Sequence, residues 1–164
     1  MATTTEGTAK VTLPGDSQIL ITREFNAPAR LVWRAYTEPE LIKRWWAGRR
    51  GTVTSAEVDL TVGGAWRFVM AADGGFEVAF RGEYREITPH TRLVNTEIYE
   101  GLPDPDDHAS VVTLTFVEQD GRTVIEMLCA YRDQADRDAV LASGMETGMQ
   151  ESLDQLEVVA TSLA

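Results

Sequence analysis

The chain has 164 residues, 43% of them hydrophobic and 25% charged, which favours one globular domain and excludes a wholly disordered chain. The 26 acidic residues outnumber the 15 basic ones and give a net charge of −11, which disfavours binding to nucleic acid or to an anionic membrane surface. Because Cys129 is the only cysteine, an intrachain disulfide is excluded and a reducing, cytoplasmic location is expected.

The first part of the chain is predicted to form a lead-in, one strand and two short helices. Residues 1–16 have neither a basic start nor an apolar run, so we expect a flexible lead-in rather than a signal peptide, followed by a single domain over 17–164. Apolar residues alternate over 17–26, which predicts a strand. Pro28 and Pro39 suit the first turns of the two helices that follow. No stretch approaches the roughly 18 apolar residues of a membrane span.

The middle of the chain is predicted to form six strands joined by short turns. Apolar and polar residues alternate along them, and turns such as Asp73-Gly74-Gly75 and Asp120-Gly121 are strong hairpin signals. The acidic loop 101–107 is expected to be a solvated flap. Hairpins make neighbouring strands antiparallel, so together with the first strand they predict an antiparallel sheet of about seven strands.

The C-terminal segment has the pattern of one long amphipathic helix. From Gln134 onwards, apolar residues that include Met145 and Met149 recur at steps of three or four, which predicts a helix of roughly 28 residues, about 40 Å long. Gly144 and Gly148 lie within it, each costing up to about 1 kcal/mol relative to alanine. They serve either close packing against the sheet or space for a ligand.

One slim helix against a wide sheet predicts an α+β fold with an interior cavity. A helix is about 10–12 Å across, whereas seven strands at about 4.8 Å spacing span more than about 30 Å. The sheet must therefore curl around the helix, and the two short helices close one end. We expect a helix-grip fold: a curved antiparallel sheet wrapped around a long C-terminal helix, with a cavity suited to an apolar ligand.

Four segments carry a family resemblance that extends over nearly the whole chain. They are REFNAPARLVWRAYTEPELIKRWW, VDLTVGGAWRF, FRGEYREITPHTRLVNTE and GMETGMQESLDQLEVV. Together they resemble the family named for the activator of heat-shock-protein ATPase, homologue-like branch, in the START-like (SRPBCC) superfamily. The resemblance implies the same helix-grip fold. It implies no single activity, because the superfamily contains lipid and hormone binders, polyketide cyclases and co-chaperone domains.

The candidate ligand-binding residues are aromatic and methionine side chains expected to line the cavity, with one carboxylate among them. They are Trp46, Trp66, Phe68, Phe80, Tyr84, Glu97, Tyr99, Met145 and Met149. Aromatic walls and adaptable methionines accept varied apolar partners, and the alternative role of these residues is core packing. Trp45 and Trp46 point in different directions on a helix, so we expect one to be structural and the other to lie near the ligand.

Two polar residues have roles that depend on which sheet face lies inside. On a concave face, Glu97 would be a buried carboxylate with a raised pKa and a candidate acid or base; we favour the alternative, a solvated convex position. Arg23 is expected to form a structural ion pair with an internal carboxylate such as Glu126. His90 is expected in an exposed turn, and Cys129 as a small buried hydrophobe. The sequence contains no nucleophile elbow, phosphate loop or metal-ligand spacing, so no cofactor, metal or catalytic residue is assigned.

These observations favour a binding module for a small hydrophobic or aromatic molecule. The alternative is an enzyme, a polyketide cyclase or dehydratase that uses the same cavity with one acid or base. A third hypothesis, ranked last, is a co-chaperone interaction with a heat-shock ATPase. The expected partner is a small hydrophobic molecule, with no nucleic acid and no membrane, and exposed sheet edges would allow a homodimer.

Overall fold

The computed structural model describes residues 6–164, which form one antiparallel sheet of eight strands with four α-helices and a 3-10 helix. The elements are β1 Lys10–Thr12, β2 Gln18–Phe25, α1 Ala29–Thr37, α2 Pro39–Ile42, β3 Gly51–Val58, β4 Ala65–Ala72, β5 Glu77–Thr88, β6 Arg92–Tyr99, the 3-10 helix Pro105–His108, β7 Ser110–Gln119, β8 Arg122–Ala130, α3 Gln134–Ala142 and α4 Met145–Ser162. The strand order is β1-β2-β8-β7-β6-β5-β4-β3. This architecture confirms the predicted α+β helix-grip fold. Within 6–164, no helix combines the length and apolar character that crossing a bilayer requires.

The segment predicted as a flexible lead-in supplies the additional strand. Lys10–Thr12 pairs antiparallel with β2 and covers an edge whose backbone groups would otherwise be unpaired. The side-chain amide of Gln150 in α4 donates to the Ala9 carbonyl at 2.7 Å and accepts from the Ala9 N–H at 3.1 Å. The lead-in is therefore fixed to both sheet and helix at this point. Its first five residues lie outside the described part of the chain.

The register of the strands decides which side chains face the inside of the sheet. Opposed residues in an antiparallel pair project from the same face. The buried inner face of the central strands consists of Ile19, Ile21, Phe25, Leu93, Val112, Leu114, Phe116, Ile125 and Cys129. Against it pack buried residues of α1 (Leu31, Val32, Ala35) and of α4 (Leu153, Leu156, Val159, Ala160). The core therefore lies between this face and the two helices.

The prediction of one uninterrupted C-terminal helix is wrong, because α3 and α4 are separate. Gly144 between them has φ 79°, in the left-handed region that ends helices and that glycine enters without a Cβ penalty. The Ser143 hydroxyl closes α3 by donating to the Val140 carbonyl at 2.6 Å. The apolar spacing continues through Gly144 unchanged, so periodicity alone could not reveal the break. The helix gripped by the sheet is α4, with 18 residues.

Arg23 is a buried charge that ties β2 to α4. Its side chain is fully buried, and Nη1 lies 2.8 Å from Asp154 Oδ1 while Nη2 lies 3.8 Å from Glu157 Oε2. The guanidinium also lies 4.9 Å from the centroid of the Phe25 ring. The structural ion pair is confirmed, but Glu126 is the wrong partner. It is exposed and, as the neighbour of the inward-facing Ile125, projects from the outer face of the sheet.

Candidate functional site

Five of the predicted site residues form one continuous aromatic cluster. Its members are Trp46, Trp66, Phe68, Phe80 and Tyr99. The Trp46 ring centroid lies 5.6 Å from that of Phe68 and 5.7 Å from that of Phe80. Trp66 lies 4.8 Å from Phe68, and Phe80 stacks on Tyr99 at 5.0 Å. These distances are typical of interacting aromatic pairs, so the five rings make one surface.

Strand pairing explains why four of these rings meet. Phe68 of β4 is opposite Phe80 of β5, and Phe80 is opposite Tyr99 of β6, so the three project from one face. Trp66 is opposite Gly82, where a Cβ atom would overlap the Thr96 carbonyl oxygen and come within 2.7 Å of the Trp66 indole nitrogen. Gly82 therefore leaves room for the indole. The sequence analysis did not identify this requirement.

The two adjacent tryptophans lie in different surroundings, and the predicted ligand-contacting role of one of them stays a prediction. Trp45 is buried, and its indole N–H donates to the Ala35 carbonyl at 2.7 Å, which makes it a structural link between the short helices. Trp46 is only partly buried and joins the aromatic cluster. The Trp46 carbonyl accepts a hydrogen bond from the Ser152 hydroxyl at 3.0 Å, which fixes this side of the cluster to α4.

The remaining apolar candidates are not members of the aromatic cluster. Met145 and Met149, on the first turns of α4, are partly buried and pack against the core. Tyr84 is 3% exposed, and burial raises the pKa of its hydroxyl. It is opposite Asn95, further along β5 from the cluster. Its position is that of a core residue.

Glu97 faces the inside of the sheet, so the expectation of a solvated convex position is wrong. It is opposite Ser110, which is buried and lies on the same face as Val112. Burial raises the pKa of Glu97 from 4.5 to about 7. Within residues 6–164, its side chain makes no hydrogen bond and no ion pair. Glu97 is thus an inward carboxyl group without a compensating partner.

Other polar groups in the interior were not identified as site residues from the sequence. Burial, with a smaller effect of the Glu97 charge, raises the pKa of the Cys129 thiol to about 12. Burial also raises the pKa of Tyr131, and the charges of Cys129 and Glu97 add to it. Among the described residues, the buried Tyr36 hydroxyl and Trp66 indole nitrogen find no hydrogen-bond partner. Tyr131 follows Cys129 by two residues, and this spacing was the available signal for its inward direction.

The acidic flap 101–107 is exposed over most of its length, as predicted, and is tied down at its end. Arg81 Nη2 donates to Asp106 Oδ1 at 2.6 Å, and His108 Nδ1 lies 2.9 Å from Asp136 Oδ1 in α3. At its start, a Cβ atom on Gly101 would overlap the Tyr99 ring. The flap therefore lies directly beside the outer ring of the aromatic cluster.

Two pockets of the structure lie away from the aromatic cluster. One, of about 330 Å³, is on the outer face of the sheet beside Leu20, Thr113 and Leu128. The other, of about 170 Å³, adjoins Arg23 and Asp154. Neither is lined by the predicted site residues, so the interior cavity stays a prediction. Among residues 6–164, no group of three or more His, Cys, Asp or Glu side chains is arranged to hold a metal ion.

Comparison with known proteins supports the fold and decides the family. The family model described as Activator of Hsp90 ATPase homolog 1-like protein matches residues 26–161. The chain belongs to this family. The resemblance seen in the sequence is therefore confirmed. A search of curated proteins found no match.

Solved bacterial structures share the architecture of this Activator of Hsp90 ATPase homolog 1-like chain. A protein from Rhodobacter sphaeroides is 27% identical with a TM-score of 0.85, over 94% of this chain and 99% of that one. One from Chromobacterium violaceum is 26% identical with a TM-score of 0.76, over 89% and 98%. One from Nitrosomonas europaea, 23% identical with a TM-score of 0.81 over 92% and 97%, shows the fold alone.

Proposed function

We propose that this family member binds a small hydrophobic or aromatic molecule between the inner face of the sheet and α4. The observation that supports the proposal best is the graded burial of the aromatic cluster. Trp66 is 5% exposed and Phe68 is 9% exposed, whereas Tyr99 is 37% exposed. The cluster therefore runs from the core to the surface, and an apolar ligand can extend it by replacing water on its partly exposed rings.

Two methionines of α4 that pack against the core suit a site that accepts ligands of varied shape. Met145 and Met149 lie on the helix that the sheet grips, and unbranched methionine side chains adjust to irregular apolar surfaces. The first turn of α4 follows Gly144, so this end of the helix is not continuous with α3. The apolar walls and the single inward carboxyl of Glu97 have the composition of a small-molecule site, in which few polar groups fix the orientation of the ligand.

The binding proposal predicts that removing a partly buried ring of the cluster weakens ligand binding. Trp46→Ala should weaken the binding of Nile red, a neutral apolar dye, by about tenfold, because burying an aromatic side chain against a ligand is worth more than about 1.4 kcal/mol. The measurement is a fluorescence titration, with naphthalenemethanol as a competitor for the dye. Circular dichroism of each variant establishes that it is folded.

A matched control is available in Phe76, a ring outside the cluster that is 60% exposed. Phe76→Ala removes similar aromatic surface and should leave the dye affinity within about twofold, since an exposed ring away from the site contributes only its own small transfer free energy. Equal affinities of folded Trp46→Ala, Phe76→Ala and wild-type protein would contradict the proposal.

A second candidate, the cyclase or dehydratase-like enzyme, is favoured by one observation. Glu97 projects inward with a pKa raised to about 7 by burial, which is the range in which a general acid or base works best near neutral pH. The Glu97→Gln substitution distinguishes the two candidates. If the protein is an enzyme, the substitution abolishes turnover of the bound molecule. If it is a binding module, the affinity for a neutral ligand stays unchanged.

A further inference from the structure

We infer that the ligand of this site carries an amine, because the inner face places a carboxylate beside an aromatic surface and offers it no cation. This inference rests on the proposed binding function and names the chemical class of its ligand. The residues that carry it are Glu97, the neighbouring rings of Tyr99 and Phe80, and Arg23, the one cationic side chain that the described strands place on the inner face. An ammonium group bound to Glu97 would supply the charge that the protein does not.

The strand positions place aromatic rings beside Glu97. Tyr99 lies two residues after Glu97 on the same face of β6, so the two side chains leave the strand about 7 Å apart. Phe80 stacks on Tyr99 at 5.0 Å. On the other side, Trp66 is opposite Gly82 in β5, and the missing side chain of Gly82 leaves room for the Trp66 indole on this face. An ammonium bound to Glu97 is therefore placed beside aromatic rings, and cation–π attraction acts where it comes within about 6 Å of a ring centroid.

No described residue neutralises the charge of Glu97. Among the strands of residues 6–164, Arg23 is the one cationic side chain on the inner face, and it lies three strands away on β2, bonded to Asp154 at 2.8 Å. Cys129 and Tyr131 are the titratable groups whose charges interact with that of Glu97, and burial keeps both neutral at physiological pH. The net charge of −11 also attracts cations to the protein and repels anions.

Three probes that share one ring system test this inference by calorimetry at pH 8. They are naphthylmethylamine, which is cationic, naphthalenemethanol, which is neutral, and naphthoate, which is anionic. The amine should bind at least about tenfold more tightly than the alcohol, and naphthoate most weakly, because a partly buried carboxylate without a protein cation discriminates between these charges. If a variant fails to fold, the order of the three affinities for the wild-type protein still tests the amine inference.

Two variants test whether the preference for the amine depends on Glu97. Glu97→Gln should bring the affinity for the amine down to that for the alcohol and leave the alcohol within about twofold. Glu83→Gln, which removes the same charge from an exposed position adjacent to Gly82 on β5, should keep the full preference for the amine. Lowering the pH from 8 to 6 should weaken amine binding to the wild type about tenfold, since below pH 7 the ammonium must displace a proton from Glu97.

The results of these titrations distinguish a failure of the amine inference from a failure of the binding proposal on which it rests. If the alcohol binds to the wild type as tightly as the amine, or if Glu97→Gln keeps the preference, the amine inference is overturned and the apolar site stands. If none of the three probes binds and Nile red does not bind either, the site and the inference both fall.

Discussion

Replacing Arg23 by alanine is expected to destabilise the protein by about 3–5 kcal/mol. The side chain is fully buried and its Nη1 lies 2.8 Å from Asp154 Oδ1, with Glu157 Oε2 at 3.8 Å from Nη2. Alanine would leave two largely buried carboxylates without their cation and a cavity beside the ring of Phe25. The free energy of unfolding of the wild type and Arg23→Ala, measured by urea denaturation at pH 7, gives the difference directly.

The control for this prediction is an ion pair of similar length on the surface. Arg34 Nε lies 2.6 Å from Glu38 Oε2, and both side chains are nearly half exposed. Solvent screening limits such a pair to at most about 1 kcal/mol, so Arg34→Ala should cost no more than that. A loss below about 1 kcal/mol for Arg23→Ala would show that Arg23 does not hold β2 to α4.

Glu97→Gln is expected to stabilise the protein at alkaline pH and to have little effect in acid. The folded state raises the pKa of Glu97 from 4.5 to about 7. Below pH 4.5 the carboxyl is protonated in both states and costs nothing; above pH 7 it is ionised in both, and its burial opposes folding. Linkage converts this pKa difference into about 3 kcal/mol at pH 8, reduced to under about 1 kcal/mol at pH 5. Glutamine has nearly the same shape and stays neutral, so the variant lacks this cost.

Urea denaturation at pH 5 and pH 8 tests this prediction without any ligand. Glu83→Gln is the matched control, because that carboxylate is exposed and its removal should change stability equally at both values of pH. If the stability of Glu97→Gln relative to the wild type is the same at pH 5 and pH 8, the Glu97 carboxyl is solvated. That result would contradict the burial of the Glu97 carboxyl on the inner face.

The fold could be predicted from the sequence because local signals settle it. Turns such as Asp73-Gly74-Gly75 separate alternating segments, and hairpins allow only antiparallel neighbours. A wide sheet and one long amphipathic segment can then pack together in only a few ways. That Trp45 and Trp46 point in different directions also followed from local geometry, although both lie in the turn after α2 rather than on the helix itself.

The direction of Glu97 could not be predicted because both faces of β6 look alike in sequence. Leu93 and Tyr99 share its face, whereas Val94 and Ile98 lie on the other, so each face mixes apolar and polar residues. Only the pairing with β7, which sets Glu97 opposite the buried Ser110, shows that Glu97 faces inward. This is a long-range property of the register, and a shift of one residue would reverse it.

The helix break at Gly144 and the strand β1 escaped prediction for a similar reason. A glycine inside an apolar periodicity is compatible with a continuous helix, and only its backbone conformation shows that the helix ends there. The short strand Lys10–Thr12 has little apolar pattern of its own and forms because β2 presents a free edge.

The central claim is that an apolar molecule enters between the inner face of the sheet and α4, and the methionine methyl groups report on this directly. With ¹³C-labelled methionine methyls assigned by Met145→Leu and Met149→Leu, a titration with naphthalenemethanol is followed by NMR. Both residues pack against the core from α4, so a naphthalene ring bound there should shift their signals upfield and saturably. If saturating naphthalenemethanol leaves the Met145 and Met149 signals in place, the molecule does not bind in this position and the account is contradicted.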